Sequence, residues 1–307
     1  TNKIVPDGPT ISTNFGEKAQ NRTYQDLLKN KFDEHNFEQL STSTIYKVSI
    51  DGSVKKWMDD GMYRTISFSP NGEYVMISQI NKPFSYLVTY SRFPTETNIY
   101  NKDGDFVSNL QKVPLIEELP KGFMSVRTGK RSFSWRPDKG ASLTYVTALD
   151  SGDPSKKVDF RDEVYELNYP FSGKGKFILK TINRFSGIDW GTKDMAIAYD
   201  TWWNTRNRKS YVFNPSNPNI KPKIISDRNY QDTYSDPGSF LRSRNEFNRS
   251  VLKMHYGNIF LRGQGFSPSG QFPFIDKVNT KTFEKTRVYQ SSYTDKIESI
   301  IDYDPKK

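Results

Sequence analysis

Short runs of alternating apolar and polar residues, separated by turn-forming residues, dominate the chain from residue 42 onward. The stretch RTISFSPNGEYVMIS, which begins at Arg64, has two such runs on either side of Ser-Pro-Asn-Gly. Alternation with a period of two predicts strands with one buried face, and Asn-Gly predicts a tight turn between them. A second hairpin is predicted around Asp51-Gly52, in IYKVSIDGSVKKWM.

The same pattern recurs in RSFSWRPDKGASLTYVT, from Arg131, and in RFSGIDWGTKDMAIAYD, from Arg184. An aromatic residue closes the first strand each time, at Phe68, Trp135 and Trp190. Each interval has room for four short strands, and four strands at a period near 50 residues are typical of β-propeller blades. The pattern therefore predicts an all-β fold, a β-propeller with four fuller blades, a partial blade at each end and a last strand in DKIESIIDYD. The four blades are predicted over 63–110, 131–182, 184–226 and 238–289.

The first forty residues have a different pattern. Residues 1–22 are polar and carry Pro6, Gly8 and Pro9, which predicts an extended segment. In the next stretch apolar residues recur at helical spacing and Thr23 can cap, so a helix over 23–41, packed on the propeller, is predicted. The blades then fill 42–307. Insertions at 81–94 and 111–127 interrupt them, and we expect both on one rim, where propellers bind ligands.

Composition narrows the function classes. The chain has 21 Phe, 18 Tyr and 5 Trp, which suits many half-buried strands. Its net charge of +10 could attract nucleic acid, anionic lipid or acidic peptides, and the number alone does not choose among them. The absence of cysteine excludes disulfides and thiolate metal sites. No apolar run approaches the roughly 18 residues of a membrane span. The chain begins at Thr1, without an initiator Met, so we expect a processed or excised piece.

Catalytic and cofactor motifs are missing from the sequence. Its two histidines, His35 and His255, have no partner at metal-ligand spacing. GQGFSPSG approaches a nucleophile elbow, but Ser269 stands where the second glycine belongs and Pro268 lacks the backbone N–H of an oxyanion donor. GKGK, at Gly173, and TGKRS, at Thr128, each lack the preceding spaced glycine of a phosphate-binding loop. We therefore predict no catalytic residue, no metal and no cofactor.

One basic, aromatic-rich stretch, SVRTGKRSFSWRP, remains as a candidate site. Arg127, Lys130, Arg131 and Arg136 cluster around the start of one innermost strand. In a propeller this strand lines the central channel, so these arginines could bind a ligand carboxylate in bidentate geometry. The alternative is that they are rim charges or pair with nearby acids.

Longer strings carry a more specific signal than the repeat. Examples are NRTYQDLLKNKFDEHNFEQLSTS, NKPFSYLVTYSRFPTETNIYNKDGDFVSNL and PLIEELPKGFMSVRTGKRSFSWRPDKGASLTYVTALDSGDP. These strings, in order along nearly the whole chain, resemble the propeller region of glutamyl endopeptidases, serine peptidases of the prolyl-oligopeptidase clan from bacteria and plant chloroplasts.

The resemblance implies a seven-bladed propeller that caps a C-terminal α/β-hydrolase domain carrying a Ser-Asp-His triad. That domain is expected to be absent from this chain, which by itself should be inert. The propeller would gate peptide substrates, and the parent would cleave after glutamate. An enclosed glutamate carboxylate needs a cation, and Arg92, Arg127, Arg131 and Arg136 are the candidates.

The implied partners are peptide substrates and the hydrolase domain of the same polypeptide, with no membrane and with nucleic acid disfavoured. The resemblance also implies export to the periplasm or outside if the source is bacterial, which is favoured, and a plastid if it is a plant. The alternative function is a free-standing propeller that binds a protein or ligand without enzymatic activity. That alternative requires the terminal strands to close the ring.

Overall fold

The computed structural model describes residues 24–306, which contain one α-helix, α1 (Lys31–Ser41). The Asn30 side chain caps α1 and accepts hydrogen bonds from the backbone N–H groups of Phe32 and Asp33, both at 2.9 Å. The helix therefore begins well after the predicted residue 23, because Asn30 is extended and Asp26 has a positive φ of 57°. The predicted Thr23 cap and the extended segment 1–22 lie outside the described residues.

A two-stranded hairpin follows the helix, with β1 (Ser43–Val48) paired to β2 (Val54–Gly61). Gly52 has a φ of +84°, which a turn of this kind requires, and the Asp51 carboxylate accepts from the Ser53 N–H at 3.0 Å. The hairpin predicted at Asp51-Gly52 is confirmed.

Four antiparallel sheets then follow in chain order. The first contains β3 (Tyr63–Phe68), β4 (Tyr74–Ile80), β5 (Thr95–Asn101) and β6 (Phe106–Val113). The second contains β7 (Arg131–Trp135), β8 (Ser142–Ala148), β9 (Asp162–Asn168) and β10 (Lys176–Thr181). The third contains β11 (Arg184–Thr192), β12 (Met195–Trp202), β13 (Asn207–Phe213) and β14 (Lys223–Asn229).

The fourth sheet is less regular, because two small hairpins interrupt its strands. The strands in this part of the chain are β15 (Ser239–Phe240), β16 (Arg242–Arg244), β17 (Ser250–Leu252), β18 (Met254–His255), β19 (Asn258–Gly263), β20 (Phe266–Ser267), β21 (Gly270–Gln271), β22 (Phe274–Asn279) and β23 (Lys285–Gln290). The sheet order is β15-β19-β22-β23, with β18 also paired to β19. Strands β16 and β17 form one separate hairpin, and β20 and β21 form the other, with Pro268 and Ser269 in its turn.

Apolar side chains join each sheet to the next, so the sheets are stacked. Met76 and Ile99 of the first sheet share a core with Trp135 and Leu143 of the second. Equivalent cores join the second sheet to the third through Val164 and Trp190, and the third to the fourth through Ile197 and Ile259. Successive four-stranded sheets stacked in chain order are the blades of a β-propeller. The predicted class and the four blades are confirmed, whereas the total of seven blades stays a prediction.

Strand pairing places both predicted insertions at one edge of the first sheet, since Ile80 pairs with Thr95 and Thr95 with Val113. The insertions also bind each other, because the Ile116 N–H donates to the Arg92 carbonyl at 3.0 Å. A short 3₁₀ turn, Tyr90–Arg92, lies in the first insertion. An apolar cluster joins both insertions to α1: Ile80, Phe84, Val88 and Phe93, with Phe37 and Leu115 packed against them.

The last described segment, 291–306, contains no strand, so the strand predicted in DKIESIIDYD is wrong. The Ser291 N–H still donates to the Pro273 carbonyl at 2.8 Å, and further along the segment side chains bind the backbone. Arg262 donates to the carbonyl oxygens of Ile300 at 2.9 Å and Ile301 at 3.1 Å, and the rings of Phe260 and Tyr303 are 5.3 Å apart. Among residues 24–306, no helix is long and apolar enough to cross a membrane.

Candidate functional site

Arginines and carboxylates cluster where strands of the second and third sheets begin or end, and we call this edge of the two sheets the rim. Strand β7 begins at the rim with Arg131, β9 with Asp162 and β11 with Arg184. The pairing of Arg131 with Val146 and of Ala148 with Asp162 sets these residues at the same level. Asp162 and Arg184 are each the first residue of a strand, and both are buried.

Arg184 is the deepest cation of the rim and is only 3% exposed. Its Nη2 contacts Asp150 Oδ2 at 2.7 Å and its Nη1 contacts Asp162 Oδ1 at 3.1 Å. Its Nε donates to the Met124 carbonyl at 2.8 Å, which fixes the second insertion to the third sheet. Because each of the three guanidinium nitrogens contacts a protein oxygen, Arg184 is a structural cation.

Arg161 supports the same carboxylate from outside. Its Nη1 contacts Asp150 Oδ2 at 2.8 Å, and its guanidinium lies 4.0 Å from the centre of the Trp202 ring. Burial disfavours the charged form of Asp150, but hydrogen bonds from Arg184 and Arg161 outweigh it and lower the pKa of Asp150. Asp150 is therefore an ionised, fully paired anion of the rim.

Arg131 contacts Asp162, the other carboxylate partner of Arg184. Its Nη2 lies 2.5 Å from Asp162 Oδ1, and its side chain is 11% exposed. The contact is an ion pair by distance without the direction of a hydrogen bond, and neither Nε nor Nη2 of Arg131 has a hydrogen-bond acceptor. The charge of Arg131 is thus balanced by Asp162, while its buried Nε and Nη2 lack a hydrogen-bond acceptor.

Arg127 differs from its neighbours because its oxygen partners are uncharged. Its Nη2 donates to Gln111 Oε1 at 2.6 Å and also to the Lys130 carbonyl, and its Nη1 donates to the Thr128 carbonyl at 3.0 Å. Within residues 24–306 it forms no ion pair. Burial, and then the nearby charge of Arg131, lower the pKa of Arg127 below its ordinary value. Three of the five guanidinium N–H groups are used, which leaves two for a ligand.

A cavity of about 420 Å³ opens beside Arg127, and we call it the rim hollow. Apolar and polar groups line it together, which suits an amphipathic side chain. Burial lowers the pKa of Lys130, which also faces the hollow and donates to the Gly173 carbonyl at 2.6 Å. The other residues that line the rim hollow include Leu110, Gln111, Pro114, Leu119 and Val126.

The structure separates Arg136 from this pair. Arg136 follows the opposite end of β7 and is 1% exposed. It contacts Asp138 at 2.7 Å and Glu166 at 3.1 Å and lies 3.9 Å from the centre of the Trp190 ring. Its guanidinium is therefore enclosed between sheets. Arg92 lies in the first insertion, with its guanidinium 5.5 Å from the Tyr24 ring.

Sequence reasoning missed the buried network of Arg161, Arg184, Asp150 and Asp162, although one signal for it was available. Each of the three recognised repeats begins with arginine, at Arg64, Arg131 and Arg184. The carboxylate partners of Arg131 and Arg184 are Asp150, which follows β8, and Asp162, the first residue of β9, and the repeat does not show these pairings. Among the described residues, no group of three His, Asp or Glu side chains is placed to hold a metal ion.

Comparison with known proteins gives matches in sequence. No protein-family model matches the chain. A protein named probable glutamyl endopeptidase, chloroplastic, from Oryza sativa subsp. japonica is 38% identical over 305 residues, covering 97% of this chain and 32% of the relative. A protein of the same name from Arabidopsis thaliana is 33% identical over 307 residues, with the same coverage. The chain thus spans about a third of the length of these relatives.

Solved structures resemble the chain more distantly. The acylaminoacyl peptidase of Pyrococcus horikoshii, in its orthorhombic form, matches with a TM-score of 0.41 and 11% identity, covering 80% of this chain and 35% of that one. The β-propeller domain of the trilobed protease from Pyrococcus furiosus matches with a TM-score of 0.40 and 12% identity, over 80% of this chain and 64% of that one. The fold assignment rests on the sheets of the chain itself.

Proposed function

This chain is related to glutamyl endopeptidases over 97% of its length, and we propose that it is the non-catalytic β-propeller portion of such a serine peptidase. In this proposal a hydrolase domain of the same polypeptide carries the catalytic triad. The propeller limits access to that domain, so that peptides and unfolded segments reach it while folded proteins do not.

We propose further that the rim binds the peptide and that Arg127 receives a glutamate carboxylate. One observation supports this most directly: Arg127 is half-buried beside the rim hollow without a carboxylate partner among the described residues. A cation in that position gains from an anionic ligand, because charge-assisted bonds strengthen as water is excluded. Arg131 stays a candidate beside Arg127, and Arg92 stays a candidate on the neighbouring insertion.

The first experiment compares this 307-residue chain with the complete product of its gene, by intact mass and with a fluorogenic peptide containing glutamate. We expect only a longer product to cleave. A gene that ends at Lys307, or cleavage by the chain itself, would overturn the proposal. A gene that ends at Lys307 would favour a free-standing binding module.

The second experiment tests Arg127 by the binding of labelled Ala-Ala-Glu-Ala-Ala and Ala-Ala-Gln-Ala-Ala to the chain. We expect Arg127→Gln to remove the preference for glutamate, at a cost of about 1.5–3 kcal/mol for a charged hydrogen-bonded pair, or roughly 10- to 150-fold. Arg64→Gln is the matched control, because Arg64 is an exposed arginine of the first sheet. An unchanged preference in Arg127→Gln would exclude the rim hollow as the glutamate site.

The location of the protein follows the same proposal. The two plant relatives are named chloroplastic, and we propose a plastid if the source of this chain is a plant. Export, in a bacterial source, stays a prediction. Cell fractionation with an antibody against the chain tests the proposed location in either source.

A further inference from the structure

A second cavity, of about 950 Å³, lies between the third and fourth sheets, and we call it the inter-sheet cleft. The third sheet lines it with Asp189, Tyr199, Arg208 and Lys223, and the fourth sheet and its insertion line it with Arg242 and Lys285. The rim hollow shares none of these residues. The cleft is therefore a separate site, and its function goes beyond the one proposed for the rim.

The carboxylates of the cleft are already paired. Asp189 contacts Arg242 at 2.5 Å and accepts from the Tyr199 hydroxyl at 2.7 Å. Asp236 contacts Arg228 at 3.0 Å. The third acid, Asp302, is 3.7 Å from Lys253. None of these acids neutralises the remaining cations of the cleft.

Four cations of the cleft form no ion pair within residues 24–306: Arg208, Lys223, Lys285 and Arg262, of which Arg262 donates to the carbonyl oxygens of Ile300 and Ile301. The Arg208 guanidinium lies 4.7 Å from the centre of the Tyr199 ring, and the Lys223 ammonium lies 4.7 Å from that of Phe283. A contact with a ring face positions the charge but leaves N–H groups for an anion. The cleft thus presents positioned positive charge that the described protein does not balance.

The shape of the cleft favours an extended chain. Strand β14 is the last strand of the third sheet and pairs only with β13 in the described part of the protein. Its consecutive residues Lys223, Ile224, Ile225 and Ser226 all line the cleft. Because β14 pairs with β13 along one edge alone, its other edge has no strand partner among the described residues. A free strand edge can pair with a peptide through its backbone.

We propose that the inter-sheet cleft binds an acidic peptide segment, extended along the edge of β14, whose carboxylates contact Arg208, Lys223 and Lys285. The backbone pairing accounts for a peptide instead of a free phosphate, and the three cations select acidic side chains. Because the cleft and the rim hollow share no lining residue, the two sites can hold separate peptides.

The test uses the 307-residue chain and fluorescein-labelled hexaglutamate, with hexaglutamine as the uncharged control, by fluorescence anisotropy at low salt. We expect hexaglutamate alone to bind, and the double variant Arg208→Ala/Lys223→Ala to bind it about tenfold more weakly. Lys47→Ala/Lys55→Ala is the matched control, since it removes the same charge from two exposed lysines of the β1–β2 hairpin. Binding should weaken as salt screens the exposed cations.

Each remaining outcome would overturn the proposal. Equal weakening in both double variants would show general attraction to the +10 chain. Tripolyphosphate displacing the dye-labelled peptide at a lower concentration than unlabelled hexaglutamate would identify a phosphate site. A doubled mass in solution that Arg208→Ala/Lys223→Ala abolishes would assign the cleft to a second copy. Loss of hexaglutamate binding in Arg127→Gln but not in the cleft variant would place the peptide at the rim, so this result separates the two proposals.

Discussion

Arg249 donates through Nη2 to the carbonyl oxygens of Phe68, at 3.1 Å, and Ser69, at 3.3 Å, although 181 residues separate Arg249 from Phe68. It belongs to the turn of the β16–β17 hairpin, which interrupts the first strand of the fourth sheet. The same turn reaches the second sheet, because Asn245 Nδ2 donates to the Pro137 carbonyl at 2.7 Å. The hairpin therefore links the fourth sheet to the first and second at the edge opposite the rim.

Asn245→Ala should loosen this link. The Asn245 side chain also accepts from the N–H groups of Phe247, at 3.1 Å, and Arg249, at 2.9 Å, so the substitution removes contacts inside and outside the hairpin. We expect a loss of about 1–2 kcal/mol in the free energy of unfolding, measured in urea. Asn219→Ala, at an exposed loop position, should change it little. Equal stability of the two variants would mean that the link is weak.

The strands and blades could be predicted from the sequence, because alternation and turn residues act locally. Trp135 and Trp190, two of the repeated aromatic anchors, are 9% and 5% exposed and pack between sheets as the repeat implies. Phe68 holds the same place in the pattern but is 56% exposed. Within the described residues no four-stranded sheet precedes the first one, so Phe68 has less to pack against.

The candidate site could be predicted only in part. The basic stretch identified Arg127 and Arg131, which do lie near each other at the rim. It also included Arg136, five residues after Arg131, which the strand carries to the opposite edge. The partners Asp150 and Asp162 of Arg184 follow from the register of the second sheet and its loops. A single sequence does not specify such pairings.

Arg136→Met tests the enclosed ion cluster of the second sheet. The substitution leaves Glu166, which is 2% exposed, with the partly exposed Lys139 and the Ser142 hydroxyl as remaining partners. Breaking a buried pair typically costs about 3–5 kcal/mol, so we expect a loss of that order in the urea unfolding free energy. Arg64→Met, at an exposed arginine, is the control. A loss below about 1 kcal/mol would contradict the enclosed cluster.

Stability should fall in acid because Asp150 is bound as an anion. Its pKa is lowered in the folded chain from an ordinary value of 3.8, so the folded state binds this proton less readily than the unfolded state does. The stabilisation is present above about pH 4 and is lost as the pH falls through the lower folded-state pKa. Asp150→Asn should therefore be less stable than wild type at pH 7, and the difference should shrink toward pH 3.

Urea unfolding at pH 7, 5 and 3 measures this difference. Asp227→Asn offers a milder comparison, because hydrogen bonds from Lys209 and Asn207 lower the pKa of a carboxylate that is about half exposed. Asp194→Asn, at an exposed turn, is the control. A difference between Asp150→Asn and wild type that stays constant with pH would show that Asp150 acts by packing instead of by charge.

Gly152→Ala tests whether the turn after β8, which contains Asp150 and Gly152, holds the lining of the rim hollow in place. Gly152 has a φ of +77°, and a Cβ there would lie 1.8 Å from the Val126 carbonyl oxygen. The Val126 N–H donates to the Gly152 carbonyl at 3.1 Å, so a displaced Gly152 also moves the residue before Arg127. We expect a loss of stability and a weaker preference of the chain for the glutamate peptide over the glutamine peptide.

Gly72→Ala is the control that separates the clash of a Cβ at Gly152 with Val126 from the backbone strain of a positive φ. Gly72 has a φ of +75°, nearly that of Gly152, but a Cβ there meets nothing within 4 Å. Both variants should lose about 1 kcal/mol to the positive φ, and only Gly152→Ala should lose more and alter peptide preference. If the two variants are equally stable and bind the peptides alike, Gly152 does not hold the second insertion in place. If Gly152→Ala loses stability but keeps the wild-type preference, the position of Arg127 does not depend on this loop.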